Sequence, residues 1–486
     1  MRGSRTMRWT AAAHMAKFSV LTTDALGHPL GPPGEKAGQQ MSSRSKAWAV
    51  TFIACLLLTV PSQGQDATTS TTPASDAMSK HIEEMEQQIK ELQIEISTLK
   101  AGDKATASTS TPTPAAQNVV SGTSAATPAP PSLSSLLGPT SLSGFVDVYY
   151  GQNFNNPASQ ANGLRSFDGA TNQFGLNLVE LVVDKTPDPS NSRTGYHVAL
   201  GFGQAMNAVN GSEPKGGLGF DQYLKEAYFS YLAPIGKGLQ VDVGKFVTPA
   251  GAEVIETKDN WNYSRGILFS YAIPYYHFGM RAKYAFNEKY SVTGYLVNGW
   301  NNVIDNNSGK TYGFSFGWNP NKKVGLTQTY LAGPEENATN HNLRQLSDTV
   351  ITYSPTSKLS FMVNGDYGRG DRLITDATLN TLSHPVFWTG VGGYIKYAFT
   401  STSSFSTRYE YYDDHDGFTT GSLIPTHFNE FTTTFERMMA HHIISRFEFR
   451  RDMSNQPVFL KGSNPVLDQN TLTAGLVFTF DSREAR

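Results

Sequence analysis

The sequence predicts an all-β protein: an antiparallel transmembrane β-barrel of about sixteen strands, preceded by a short α-helical coiled coil. Three observations carry that reading. From Ser143 onward, short segments recur in which apolar and polar residues alternate, the period-two mark of a strand with two unlike faces. The connections between these segments alternate between short and long. Upstream, residues 78–100 place apolar side chains at alternating spacings of four and three.

Composition agrees. Tyr, Phe, Gly, Asn and Thr are plentiful and charged residues make up 16% of the chain, a balance that favours strands and turns. The mean hydropathy of −0.35 lies on the polar side. A barrel with a wet interior shows such a value because alternation hides its lipid face. The net charge of −2 gives no electrostatic case for a nucleic-acid partner.

Residues 1–40 hold no long apolar run and read as an upstream extension, with Met41 as the true start. Residues 41–64 read as a secretory signal peptide. Arg44 and Lys46 precede the apolar run "AWAVTFIACLLLTV", and small residues Ser62 and Gly64 follow it. That run is short for a membrane-spanning helix. The single cysteine, Cys55, lies within it. Phe52-Ile53-Ala54 is a poor lead-in for lipid attachment, so Cys55 reads as part of the signal core. The mature chain then has no thiol, hence no disulfide and no cysteine metal site.

After a short linker at 65–77 comes "MSKHIEEMEQQIKELQIEISTLK". Met78, Ile82, Met85, Ile89, Leu92, Ile96 and Leu99 form a heptad seam, with Glu, Gln and Lys outside it. This predicts a periplasmic helix that joins copies of the chain. Ile at one seam position and Leu at the other lean towards two strands. The competing reading is one amphipathic helix lying on the barrel. Residues 101–142 are Ala, Ser, Thr and Pro in low complexity and read as an extended, disordered linker.

The barrel is predicted over 143–480, with a polar tail at 481–486. Its strands are expected at 144–153, 174–185, 194–204, 221–233, 238–246, 276–286, 290–300, 311–319, 323–332, 346–354, 358–368, 386–399, 403–413, 427–438, 442–451 and 471–480. Connections after even-numbered strands are short, such as "PIGK" and "NEK". Those after odd-numbered strands are mostly longer, such as 247–275, 369–385 and 452–470. A β-sandwich has no reason to alternate its hairpin lengths, whereas an outer-membrane barrel does. Closure also satisfies every backbone group in lipid. In the last strand Leu472, Ala474, Leu476, Phe478 and Phe480 form the face expected to meet hydrocarbon. Tyr149, Tyr231, Trp300, Trp318, Tyr353, Phe399 and Phe480 suit the aromatic girdles.

Alternation also assigns the inward face. In "YHFGMRAKYAF" the greasy side is Phe278, Met280, Ala282, Tyr284 and Phe286, so His277, Arg281 and Lys283 point inward. By the same logic Lys396, Arg408, Arg446 and Arg450 face the interior, with Asp242, Asp366, Glu410, Glu430, Glu436 and Glu448. Charges on the lipid face are costly near mid-membrane. These residues are read as pore lining, and a basic ladder facing an acidic loop would set up a transverse field. The competing reading is that they solvate a wide pore. Both signs are present, so no ion preference follows.

The stretch "GKFVTPAGAEVIETKDNWNYSRGILFSYAIPYYHFGMRAKY" at 244–284, with "VNGWNN" at 297–302, resembles the OmpL-like β-barrel porin-2 family of Gram-negative outer membranes. The resemblance covers roughly 143–480. It implies a passive channel for small hydrophilic solutes or ions, with no cofactor. The coiled coil ahead of the barrel is similar to features of trimeric surface barrels, which favours a trimer over a dimer. The long connection 247–275 stands where general porins fold a loop into the pore. It carries Glu253, Glu256, Lys258, Asp259 and Arg265, with Trp261 and Tyr263 to pack it down. Charges at such a constriction set ion preference. The competing reading is a solvated surface loop. The chain departs from the usual barrel ending in one respect: six mostly polar residues follow Phe480.

Enzyme-like signals are weak. The adjacent histidines His441 and His442 point opposite ways on a strand and make a poor metal pair. "DDHDG" at 413–417 reads as a solvated loop rather than a cation site. There is no nucleophile elbow and no phosphate loop. Two further classes remain open: a surface binding or adhesion barrel plugged by its own loops, and a soluble secreted β-protein.

Overall fold

The computed structural model describes residues 138–211, 219–375 and 381–484. The upstream extension, the signal segment, the heptad seam from Met78 to Leu99 and nearly all of the linker expected at 101–142 lie outside these residues.

The strands are β1 (Ser141–Asn153), β2 (Gln173–Lys185), β3 (Thr194–Phe202), β4 (Leu224–Ala233), β5 (Leu239–Val247) and β6 (Tyr276–Ala285). They continue with β7 (Tyr290–Val297), β8 (Thr311–Asn321), β9 (Val324–Pro334), β10 (Leu343–Tyr353), β11 (Leu359–Thr375) and β12 (Thr381–Ala398). The last are β13 (Ser403–Asp414), β14 (Thr426–Ala440), β15 (Ile443–Ser454), a small hairpin of β16 (Phe459–Lys461) and β17 (Asn464–Val466), and β18 (Asp468–Asp481).

Each of the sixteen segments predicted from alternation is a barrel strand. All pair antiparallel with their neighbours, and β18 closes the ring by pairing with both β15 and β1. Closure leaves no unpaired edge. The β1–β18 register runs from Ser143 opposite Asp481 to Asn153 opposite Thr471. The first strand thus starts two residues before the predicted barrel boundary. Two of the expected long connections differ. Residues 369–385 are mostly strand, because β11 and β12 extend well past their neighbours. Residues 452–470 carry the β16–β17 hairpin.

The period-two pattern sorts the faces as expected. On β18 Leu472, Leu476, Phe478 and Phe480 are exposed on the outer wall, while Thr471, Thr473 and Val477 are buried inside. Tyr231, Trp318, Tyr353 and Phe399 are likewise exposed on the outside. Two aromatics assigned to the girdle are not there. Tyr149 shares the inward face of β1 with Phe145 and Asp147, and its hydroxyl accepts the N–H of Ala170 at 3.1 Å. Trp300 lies beyond the end of β7 and packs edge-to-face on Trp388 at 6.2 Å. A ring near a strand end suits either face; parity decides for Tyr149, and the loop turns Trp300 inward.

The buried apolar cluster lies inside the barrel. Wall residues such as Phe145, Leu178, Trp388 and Tyr412 meet segments that connect strands at the end where the long connections lie. Residues 154–172 supply Phe167. The short helix α1 (Gln204–Asn210) supplies Ala205, Met206 and Val209. Residues 248–275 supply Ala250, Ile255, Ile267, Leu268, Phe269, Ala272 and Ile273. Burying these side chains draws the connections inward.

Candidate functional site

The connection 248–275 enters the barrel from the end of β5 and returns to β6. Its backbone polar groups must find partners once they leave water. The inward charged residues of the wall supply many of them, so that a loop whose regular pieces are a 3-10 turn at Thr257–Asp259 and a π-helical turn at Leu268–Ala272 is fastened along much of its length.

The Arg446 guanidinium on β15 donates to the carbonyls of Asn262 at 3.1 Å and Asn260 at 2.7 Å, and also to that of Thr257. It pairs with Glu436 on β14 as well. Arg408 on β13 lies between Glu430 at 2.9 Å and Glu253 of the loop at 2.5 Å, and donates to the Ser264 carbonyl at 2.7 Å. Arg450 on β15 reaches the Arg265 carbonyl at 2.6 Å and Asp452 at 2.7 Å. Carboxylates do the converse. Glu448 accepts the N–H of Tyr263 at 2.6 Å and of Ser264 at 3.0 Å. Glu410 accepts the N–H groups of Ile267 and Leu268. Charge-assisted bonds of this kind are the stronger ones.

The loop crosses to the rest of the wall. The Tyr263 hydroxyl donates to Asp147 on β1 at 2.9 Å. Its ring lies so close to Gly475 on β18 that a Cβ there would come within 2.4 Å of it. The Trp388 indole on β12 donates to the Ala272 carbonyl at 3.0 Å. On β4 the Lys225 ammonium pairs with Glu180 at 2.7 Å and with Glu256 of the loop. Arg265, assigned to a constriction ring, instead braces the loop internally: it donates to the Tyr263 carbonyl at 3.1 Å and stacks over Phe167 at 4.6 Å. Glu253 is likewise buried under Arg408. Of the five loop charges singled out in the sequence, Lys258 and Asp259 keep the most surface, 31% and 52% of their side chains, and Glu256 keeps less.

The inward residues divide in the same way. Asp366, Arg408, Glu410, Glu430, Arg446, Glu448 and Arg450 all face the interior, yet the loop covers them and they line no open space. His277 is also fully buried, with Nδ1 at 2.9 Å from the Gly299 carbonyl, and Asp242 is held by Ser230 and Arg281. Arg281, Lys283, Lys396 and Glu436 retain exposed surface. Arg408, Arg446 and Arg450 of the basic ladder thus fasten the loop. A period-two argument reports the face and cannot report what a distant loop covers.

Several charged groups escaped the sequence reading. His197 on β3 lies 3.0 Å from Asp184 and 3.5 Å from Glu226, and stacks on Tyr228 at 5.1 Å. Parity within each strand could have found them. In the connection 154–172, Arg165 pairs with Asp168 and reaches Asp452 at 3.5 Å. Burial by itself would raise the Asp168 carboxyl, but Arg165, Arg450 and Arg265 hold it below its usual range. Glu335, just past β9, accepts the Trp300 N–H at 2.8 Å and the Thr311 hydroxyl at 2.5 Å. Burial pushes its carboxyl up to about 7, against the pull of Arg344 and these bonds. No periodicity marks such a loop residue. In "DDHDG", Asp414 accepts the N–H groups of Phe418 and Thr420, so it organises its own turn.

A family model described as putative beta-barrel porin-2, OmpL-like, matches residues 139–480. No curated protein matches the sequence. Solved structures with a similar fold include an anion-selective porin from Comamonas acidovorans, 9% identical, covering 70% of this chain and 99% of that chain with a TM-score of 0.47. The outer membrane channel DcaP of Acinetobacter baumannii is 10% identical, covering 70% and 97% with a TM-score of 0.46. OmpT of Vibrio cholerae is 11% identical, covering 70% and 97% with a TM-score of 0.45.

Proposed function

The chain belongs to the putative beta-barrel porin-2, OmpL-like family, and from that membership we propose that it forms a water-filled channel in the Gram-negative outer membrane for small hydrophilic solutes or ions, narrowed by residues 248–275. The observation that carries the reading is a closed sixteen-stranded barrel whose longest connection is fastened inside it. A barrel of that size is wide enough to leave an aqueous channel. The narrowed passage runs along β2–β6, between Asp184, His197, Arg281 and Lys283 on the wall and Lys258 and Asp259 on the loop. The long connections face outward and the N-terminus lies in the periplasm. The heptad seam at 78–100 joins copies of the chain, a trimer in preference to a dimer.

A second reading is supported by the apolar cluster inside the barrel, to which residues 154–172, α1 and residues 248–275 all contribute. It is a surface binding barrel plugged by its own loops. One experiment separates the two. Mature protein, shown folded by its heat-dependent gel mobility, is added to a planar bilayer. Stepwise ohmic openings support the channel, and openings in groups of three support the trimer. Silence from folded protein rejects the channel in favour of the plugged barrel.

A further inference from the structure

Lys225, Arg408, Arg446 and Arg450 each spend their charge on carboxylates of the wall or the loop. Two inward cations on β6 are less committed. Arg281 uses one edge of its guanidinium: Nε donates to Asp242 at 2.7 Å, and the terminal amino groups make no hydrogen bond among the described residues. The group lies against two rings, 4.8 Å from that of Tyr228 and 4.6 Å from that of Phe246. Those contacts fix its plane, and its side chain keeps 23% of its surface. Lys283 follows two residues on, on the same face, and is exposed. No carboxylate of the described residues forms an ion pair with it. The acids of this wall are engaged elsewhere. Asp242 also accepts from Ser230 and Gln240, while Asp184 and Glu226 flank His197. The adjoining wall is of another kind. Tyr295 stands opposite Arg281 and Thr293 opposite Lys283, Ser315 stands opposite Thr293, and Thr329 opposite Ser315. The Ser315 hydroxyl donates to that of Tyr295 at 3.2 Å and lies 2.9 Å from that of Thr329. The inward faces of β7, β8 and β9 carry hydroxyls and glycines and no charge.

We propose, resting on the channel reading, that Arg281 and Lys283 hold the carboxylate of a small hydroxylated acid while its hydroxyls run against Thr293, Tyr295 and Ser315. With Nε given to Asp242, the two terminal amino groups of Arg281 present a fork, and a fork matches a carboxylate with two parallel bonds. Lys283 adds a mobile second cation beside it. Neighbouring strands are about 5 Å apart, so Thr293 and Ser315 stand roughly 5 and 10 Å across the wall from the cations. That is the reach of one sugar ring carrying an acid group. An apolar acid would gain from the cations and leave the hydroxyls without partners, which favours the hydroxylated one. The uncharged wall adds no second strong contact, so the solute is recognised and still leaves, as conduction requires.

The test records single channels of the mature protein in potassium chloride, then adds glucuronate, propionate or glucose. Each variant is first shown to fold by its heat-dependent gel mobility. In the wild type glucuronate interrupts the current at a concentration about tenfold below that needed of propionate, and glucose at the glucuronate concentration does not interrupt it. Arg281→Lys keeps the charge and loses the fork, and should raise the half-blocking concentration of glucuronate about tenfold. Lys283→Gln should raise it for both acids. Thr293→Val should raise it for glucuronate and leave propionate where it was. Silence from folded wild type in potassium chloride rejects the channel and this assignment with it. Channels that open in potassium chloride yet respond alike to glucuronate and glucose overturn this assignment alone. So does an Arg281→Lys channel blocked as readily as the parent, or equal block by glucuronate and propionate. Should Arg281→Lys fail to fold, Lys283→Gln, at an exposed side chain, carries the comparison.

Discussion

On β13–β15 the inward charges are committed to the loop, whereas on β2–β6 several keep surface of their own. Arg408, Arg446 and Arg450 are at most 1% exposed, and each guanidinium is used up by loop carbonyls and carboxylates. Across the ring the Asp184, His197 and Arg281 side chains are 29%, 18% and 23% exposed, and Lys283 is more open still. The two walls carry similar residue types at the same period. The difference is one of degree: on β4 to β6 Lys225, Asp242 and His277 are buried as well, and Lys225 pairs with Glu256 of the connection. Buried charge on either wall holds structure together, while Asp184, His197, Arg281 and Lys283 keep surface of their own.

The most severe way to break this division is Arg408→Ala. It leaves Glu253 and Glu430 buried without their partner, and losing one side of a buried pair costs about 3–5 kcal/mol. The variant should lose its compact mobility at a much lower temperature and be cut by protease within 248–275. A barrel as heat-stable and protease-resistant as the parent would show that the fastening is dispensable.

Glu335 gives the next effect. Its carboxyl is raised from 4.5 to about 7 by burial. The folded state therefore binds the proton more tightly than the unfolded chain does. That stabilisation is fully present below about pH 4.5 and is lost as pH rises through about 7, a change on the order of 3 kcal/mol. Thermal midpoints measured between pH 4.5 and 8 should fall over that window in the parent. In Glu335→Gln the contribution of this site should vanish. An identical slope in both proteins would assign the dependence elsewhere.

Tyr263→Phe removes one hydroxyl from Asp147 and keeps the ring against Gly475. It should cost about 1 kcal/mol, seen as a small drop in the same midpoint. The mildest change is Lys283→Gln, at an inward charge that keeps its own surface. Stability should stay within about 0.5 kcal/mol of the parent, while reversal potentials in a salt gradient shift towards cations. An unshifted potential would place Lys283 outside the path of permeating ions.

All sixteen strands, their order along the chain and the face of most side chains were legible in the residues alone, Tyr149 being an exception on β1. Leu472 through Phe480 show why: a strand repeats every two residues, so its two environments are printed side by side. The same logic found every inward charge it was applied to, including Arg281 and Glu430. It failed for Trp300, which lies past the end of β7, where no period operates. It was silent on Glu335 for the same reason.

What local pattern could not contain is which inward charges stay open. Arg446 meets Asn260 and Arg408 meets Glu253 across separations of 186 and 155 residues. Those meetings exist only because the ring has closed and the loop has folded back through it. Alternation is a property of neighbouring residues and survives in the sequence. Coverage is a property of distant segments sharing one enclosed volume, and only closure of the barrel brings them there.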